Sequence, residues 1–200
     1  MPEKTIAFVI LAAGESRRMG DIKQLLEWRN KTLLQHLIDK SIASTASKTY
    51  VVVGSHADRI EASIQNQPVT TIYNNNWKKG MGSSIAVAVE HISNLPERFD
   101  GILISLVDQP LIPVDHFNQL ILKFVEGKTP IVATTVNGSL GVPAVFGSEY
   151  FNELLKLDGS QGAKNIIYHH QEEVTAVRFE NAYMDLDTPE DYRRFLQQQP

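Results

Sequence analysis

Lys4-Thr5-Ile6-Ala7-Phe8-Val9-Ile10-Leu11 is a nearly continuous apolar run, and the small residues Ala12-Ala13-Gly14 follow it at once. Apolarity without polar alternation is what a strand covered on both faces requires, and such strands belong to parallel sheets flanked by helices. Outward from this strand the chain keeps one rhythm. Thr32–Ala46 sets Leu34, Ile38 and Ile42 in one helical stripe beside Leu33 and Leu37. Thr49–Val53 is a β-branched strand stopped by Gly54, Ala57–Ile64 reads as a helix, and Val69–Tyr73 as a strand. Ser83–Ile92 carries Ile85, Ala88, Val89 and Ile92 at helical spacing, and Gly101–Val107 is a further buried strand. Phe117, Leu120, Ile121 and Phe124 repeat the helical spacing before the strand Ile131–Val136. The alternation predicts an α/β fold, a mostly parallel sheet with helices on both faces. Beyond it come a turn-rich stretch, Gly138–Pro143, a short strand at Ala144–Phe146, two helices and a strand at Glu173–Phe179. A last helix follows, with Thr188 as N-cap and Pro189 in its first turn.

The chain has 200 residues, no interrupting linker or repeat, and a length suited to a single domain over 1–200. Hydrophobic residues are 42% and charged residues 21%, values that exclude an intrinsically disordered chain. Lys plus Arg is 19 against 23 for Asp plus Glu, and the net charge of −4 argues against general binding to nucleic acid or an anionic membrane. With no Cys, thiolate metal sites and thiol catalysis are impossible. Ile6–Ala13 only faintly imitates a signal peptide, because Glu3 and Lys4 cancel ahead of it, and no apolar run reaches the ~20 residues of a membrane span. A cytoplasmic location is expected.

Ligands of doubly wound sheets bind at the carboxyl ends of the strands, so the residues just after each strand are the candidates. After the first strand, Leu11-Ala12-Ala13-Gly14-Glu15-Ser16-Arg17-Arg18-Met19-Gly20-Asp21-Ile22-Lys23 combines small residues with the cations Arg17, Arg18 and Lys23. Its backbone N–H groups could cradle phosphate, although it is not a Walker loop, and a solvated turn is the plainer alternative. Asp108-Gln109-Pro110 places a carboxylate at a strand end, suited to a hard cation such as Mg²⁺ or, alternatively, to capping the next helix. Asn74-Asn75-Asn76-Trp77-Lys78-Lys79-Gly80-Met81-Gly82-Ser83-Ser84 allows close approach to a planar base, with Ser83 or Ser84 able to cap a helix. Asp185 and Asp187 alternate, so both could face one metal, or simply complement a helix N-terminus.

Together these segments resemble the MobA-like nucleotidyltransferases, which use a three-layer Rossmann-like sheet. The resemblance rests on Leu11-Ala12-Ala13-Gly14 with Ser16, Arg18-Met19-Gly20 and Lys23. Asp108-Gln109-Pro110, Asn74 with Trp77, Gly80, Met81 and Ser84, and the ending from Asp185 to Tyr192 are similar to the molybdenum cofactor cytidylyltransferase branch. The resemblance spans essentially the whole chain. It implies Mg²⁺-dependent transfer of CMP from CTP to molybdopterin, with pyrophosphate released and a molybdoenzyme or its maturation factor as partner. Leu11, Ala12, Ala13, Gly14, Ser16, Arg18, Lys23, Asn74, Gly80, Met81, Ser84 and Asp108 then bind nucleotide. Lys23, Arg18 and Asp108 act in catalysis, and Asp108, Asp187 and Asp185 hold the metal. The Ala12-Ala13 pair favours CTP over GTP. On the presumed acceptor side the chain departs from the family pattern, with Val142 in a polar position, Ser160 for Asp and Lys164 for Arg. Another phosphorylated acceptor, such as a sugar 1-phosphate, and a non-catalytic cofactor carrier stay open.

Overall fold

The computed structural model describes residues 4–159, 162–179 and 185–198. Strands β1 (Ile6–Leu11), β2 (Glu27–Trp28) and β3 (Lys31–Thr32) lead into α1 (Leu33–Ala43). Then come β4 (Lys48–Val53), α2 (Ala57–Ile64), β5 (Thr70–Tyr73), α3 (Met81–Ser93), β6 (Gly101–Leu106) and α4 (Val114–Glu126). The remainder comprises β7 (Ile131–Val136), β8 (Ser139–Gly147), α5 (Phe151–Leu154), α6 (Ala163–His169), β9 (Val174–Arg178) and α7 (Pro189–Gln198). Seven of the strands form one sheet in the order β5-β4-β1-β6-β8-β7-β9, with β8 antiparallel to both neighbours and every other pairing parallel.

Strand residues alternate between two cores, as a pleated strand buried on both faces must. Ile6, Phe8 and Ile10 of β1 pack with Leu34 and Ile38 of α1, Ile60 of α2, Phe117 and Leu120 of α4 and Phe195 of α7. Ala7 and Val9 point the other way, into a core with Ile85 and Val89 of α3, Leu154 of α5 and Ile166 and Ile167 of α6. The sheet is therefore the middle of three layers, as the apolar octet predicts. Two capping boxes fix helix starts. Thr32 Oγ1 accepts from Gln35 N while Gln35 Oε1 accepts from Thr32 N, and Asp191 N and Thr188 are linked in the same reciprocal way.

Two local differences from the sequence reading have physical causes. Residues 27–32 form a small hairpin whose turn residues Arg29 and Asn30 both take left-handed backbone, at φ 47° and 63°. The usual Asn-Gly or Asp-Gly signal of that turn is missing. The turn-rich stretch at 138–143 is mostly strand. Asn137 and Gly138 make the tight turn alone, and β8 runs on from Ser139 with a register irregularity against β7 near Ala133 and Thr134.

Candidate active site

From β1 the chain winds to β4 and β5 on one side of the sheet and returns to β6 on the other. The crevice beyond the carboxyl ends of β1 and β6 is thus the topological switch point, where such sheets bind ligands. The loop after β1 and the turn after β6 form its lips. In the first loop the N–H groups of Ala13 to Arg18 make no hydrogen bond to any described residue. Unspent donors in succession are what an anion-binding concavity offers. Ser16 takes left-handed backbone at φ 57° within this run. Gly54, at the end of β4, lets the far wall close in. A Cβ there would lie 2.6 Å from Trp77 Cβ and 2.9 Å from Ala13 Cβ.

Charge converges on Lys23. Its Nζ donates to Asp108 Oδ2 at 3.2 Å and to Asp187 Oδ1 at 3.0 Å, and Arg18 meets the other oxygen of Asp187 at 3.1 Å. Asp185 Oδ1 accepts from Gln109 Nε2 at 3.3 Å, and Leu186 N donates to the Asp108 carbonyl at 2.9 Å, docking this segment onto the turn. Burial pushes the Asp108 carboxyl up from its ordinary value, against the opposing pull of Lys23 and with the help of Asp185 and Asp187. Asp108 Oδ1 is buried and has no hydrogen-bond partner among the described residues. An orphaned carboxylate oxygen beside two further carboxylates is a hard, anionic donor set that fits Mg²⁺ or Mn²⁺. No ready-made cluster of three acidic or imidazole groups exists among the described residues, because the Lys23 ammonium stands between Asp108 and Asp187.

Two cavities open here. The smaller, about 270 Å³, is lined by Leu11, Ala13, Gly14, Ser16, Lys23, Gly80, Met81, Ser84 and Asp108 among the residues singled out from sequence. The larger, about 620 Å³, takes in Arg18, Asp185 and Asp187, shares Met81 and Asp108, and is walled by Leu140, Val142 and Lys164. Asp108 thus stands where the two cavities meet. Of the residues assigned to nucleotide, catalysis or metal, two line neither cavity. Ala12 turns its methyl into the core. Asn74 is buried beneath the site, where its Nδ2 donates to Ser83 Oγ at 2.9 Å and Ser84 Oγ at 3.0 Å. Neither serine caps α3. The helix begins earlier, at Met81, with Gly80 as N-cap at φ 111°. Ser160 lies outside the described residues. The sequence reading missed Gln24, a buried amide bonded to the carbonyls of Ala12 and Gly14; its place directly after Lys23 was the available signal.

Comparison with known proteins places this geometry. The model of the MobA-like NTP transferase domain matches residues 8–174. The purine catabolism protein PucB of Bacillus subtilis is 28% identical over 92% of each chain, and the molybdenum cofactor cytidylyltransferase of Escherichia coli 24% identical over the same shares. The nicotine blue oxidoreductase of Paenarthrobacter nicotinovorans is 30% identical over 68% of this chain and 64% of its own. A Mycobacterium tuberculosis protein solved in complex with manganese superposes with a TM-score of 0.82 at 25% identity, covering 97% of this chain and 99% of that one. No helix among the described residues is long and apolar enough to cross a membrane. With the match spanning most of its length and the phosphate-suited loop at its switch point, the chain belongs to the MobA-like NTP transferase family and is a nucleotidyltransferase.

Proposed function

We propose that the chain transfers CMP from CTP to a phosphate monoester, molybdopterin by resemblance to the cytidylyltransferase branch, and releases pyrophosphate. The observation that carries this reading is the meeting of unspent N–H donors at Ala13–Arg18 with Lys23 and Asp108 in one crevice. The acceptor's phosphate oxygen attacks the α-phosphorus and forms the new P–O bond as the bond to the bridging oxygen of pyrophosphate breaks. Little covalent work falls to the protein, so positioning and charge stabilisation dominate. The loop N–H groups and Lys23 hold the triphosphate and meet the negative charge that grows on the leaving pyrophosphate. Arg18, on the acceptor side of Asp187, orients the incoming phosphate. Base and ribose lie against Leu11, Trp77, Gly80 and Ser84. Asp108 with Asp187, and Asp185 behind them, would hold a divalent ion such as Mg²⁺, which supplies charge compensation at the α-phosphate.

One observation favours a different phosphate monoester, such as a sugar 1-phosphate. The acceptor wall presents Val142 at the position that the family resemblance makes polar, beside Leu140, and Lys164 stands nearby. Pyrophosphate release from CTP and Mg²⁺ distinguishes the two. Release that needs molybdopterin supports the first reading, and release with a sugar 1-phosphate but not molybdopterin supports the second. No release with either, from CTP, GTP, UTP or ATP, contradicts nucleotidyl transfer to these acceptors.

A further inference from the structure

The loop after β1 has to present N–H groups to an anion and keep its carbonyl oxygens, which would repel that anion, directed elsewhere. One side chain does much of this from beneath. Gln24 is 4% exposed, and its Nε2 donates to Ala12 O at 2.8 Å and to Gly14 O at 3.0 Å. Its Oε1 accepts from Ser16 Oγ at 3.3 Å, and Ser16 Oγ in turn accepts from Lys23 N at 3.4 Å. The carbonyl between the two, Ala13 O, accepts from Ser55 N at 3.0 Å. Three successive carbonyls are therefore held by donors on the protein side, while the N–H groups of Ala13 to Arg18 find no partner among the described residues. Both N–H donors of the amide and its oxygen are engaged with one loop, so Gln24 acts on a ligand chiefly through that loop.

We infer that Gln24 is the positioning residue of the triphosphate cradle: it fixes the carbonyls of Ala12 and Gly14 and the hydroxyl of Ser16 so that the intervening N–H groups converge on phosphate. Because it follows Lys23 in one short helical turn, Lys23–Leu25, the same anchor sets the register of the lysine that reaches Asp108 and Asp187. Leucine at this position leaves both carbonyls without a donor and the loop without its tie to Ser16. Glutamate keeps the shape but replaces the two N–H donors with a carboxylate under the phosphate site.

The inference rests on the nucleotidyltransferase reading, and the test separates the two. The affinities of CTP and of CMP, each with Mg²⁺, are measured by calorimetry for wild type, Gln24→Leu and Gln24→Glu. Gln24→Leu is expected to weaken CTP by about 10-fold, the scale of one lost hydrogen bond, and Gln24→Glu to weaken it further. CMP, which lacks the β- and γ-phosphates, should change far less, so the ratio of CTP to CMP affinity falls. A purely structural glutamine lowers the unfolding midpoint and leaves that ratio where it was, which overturns the inference. If Gln24→Leu does not fold, the near-isosteric Gln24→Glu decides in its place by the same ratio. A wild-type chain that binds neither nucleotide removes the nucleotidyltransferase reading and this inference with it, whereas wild-type binding with an unchanged ratio in the variants removes this inference alone.

Discussion

Replacing Lys23 by methionine keeps most of the side chain's length and removes its charge. The ammonium is within 3.2 Å of Asp108 and 3.0 Å of Asp187, and only 13% of the lysine side chain is exposed. At an effective dielectric of about 20, each pair at such a distance gains roughly 5 kcal/mol of Coulomb energy before desolvation is counted. Truncating one member of a fully buried pair typically costs about 3–5 kcal/mol, because the partner is left charged and unpaired. Here the carboxylates are 23% and 35% exposed, so solvent takes up part of that cost. An expected loss of about 1–3 kcal/mol lies between the buried and the surface limits. The vacated space leaves Asp108 and Asp187 facing one another with no cation between them. Millimolar Mg²⁺ should then stabilise Lys23→Met more than it stabilises the wild type, even as CTP binds more weakly. Turnover should fall by about 10²–10³, the usual effect of deleting one group that stabilises transition-state charge. Urea unfolding with and without Mg²⁺, CTP titration and pyrophosphate release check these four expectations. An unfolding midpoint and Mg²⁺ response equal to the wild type's, with turnover intact, would refute this account of the site's charge balance.

Other consequences lie further from the chemistry. His116 is buried in α4, its Nε2 is 2.8 Å from Thr134 Oγ1, and that hydroxyl donates to Pro143 O at 2.6 Å, so Nε2 carries a proton and donates to Thr134. Burial away from water holds its pKa below the ordinary imidazole value. Folding therefore favours the unprotonated form, and His116 contributes stability that is full above about pH 6.5 and lost as pH falls below it. Replacing it with Phe should flatten the stability-versus-pH curve below about pH 6.5; an unchanged slope there would assign the acid sensitivity elsewhere. Lys40 of α1 donates to Pro110 O at 2.5 Å and Ile112 O at 2.9 Å, bracing the turn that carries Asp108. Lys40→Met should cost about 1–2 kcal/mol and raise the Mg²⁺ concentration needed for half-maximal turnover. A stability loss with an unaltered Mg²⁺ requirement would reduce Lys40 to a structural brace.

Most of the layered fold is legible in the sequence because parallel strands buried on both faces must be apolar throughout. Ile6–Leu11 satisfies that condition, Gly101–Leu106 departs from it only at the buried Ser105, and helices with one apolar stripe, such as Val114–Glu126, cover them. The hairpin at 27–32 is not legible, since Arg29 and Asn30 adopt left-handed backbone without the glycine that normally advertises it. The candidate site is legible where chemistry sits next to a strand end, as at Gly14 and Asp108. It is not legible where it depends on distant segments meeting. Lys23 and Asp187 are 164 residues apart, and the docking of Leu186 N on Asp108 O and of Asp185 on Gln109 helps bring them together. Gln24 escapes, and Asn74 is found without its role as a support under Ser83 and Ser84, for a related reason: an amide in a sequence does not say which carbonyls or hydroxyls it will meet.

The most direct test of the central claim is calorimetric titration of the wild type and Asp108→Ala with CTP, GTP, ATP and UTP, with and without Mg²⁺ and with and without molybdopterin. The account predicts binding of a triphosphate, CTP foremost, that depends on Mg²⁺ in the wild type and is lost in a folded Asp108→Ala. Absence of triphosphate binding under every condition, or equal binding by the variant, would contradict it.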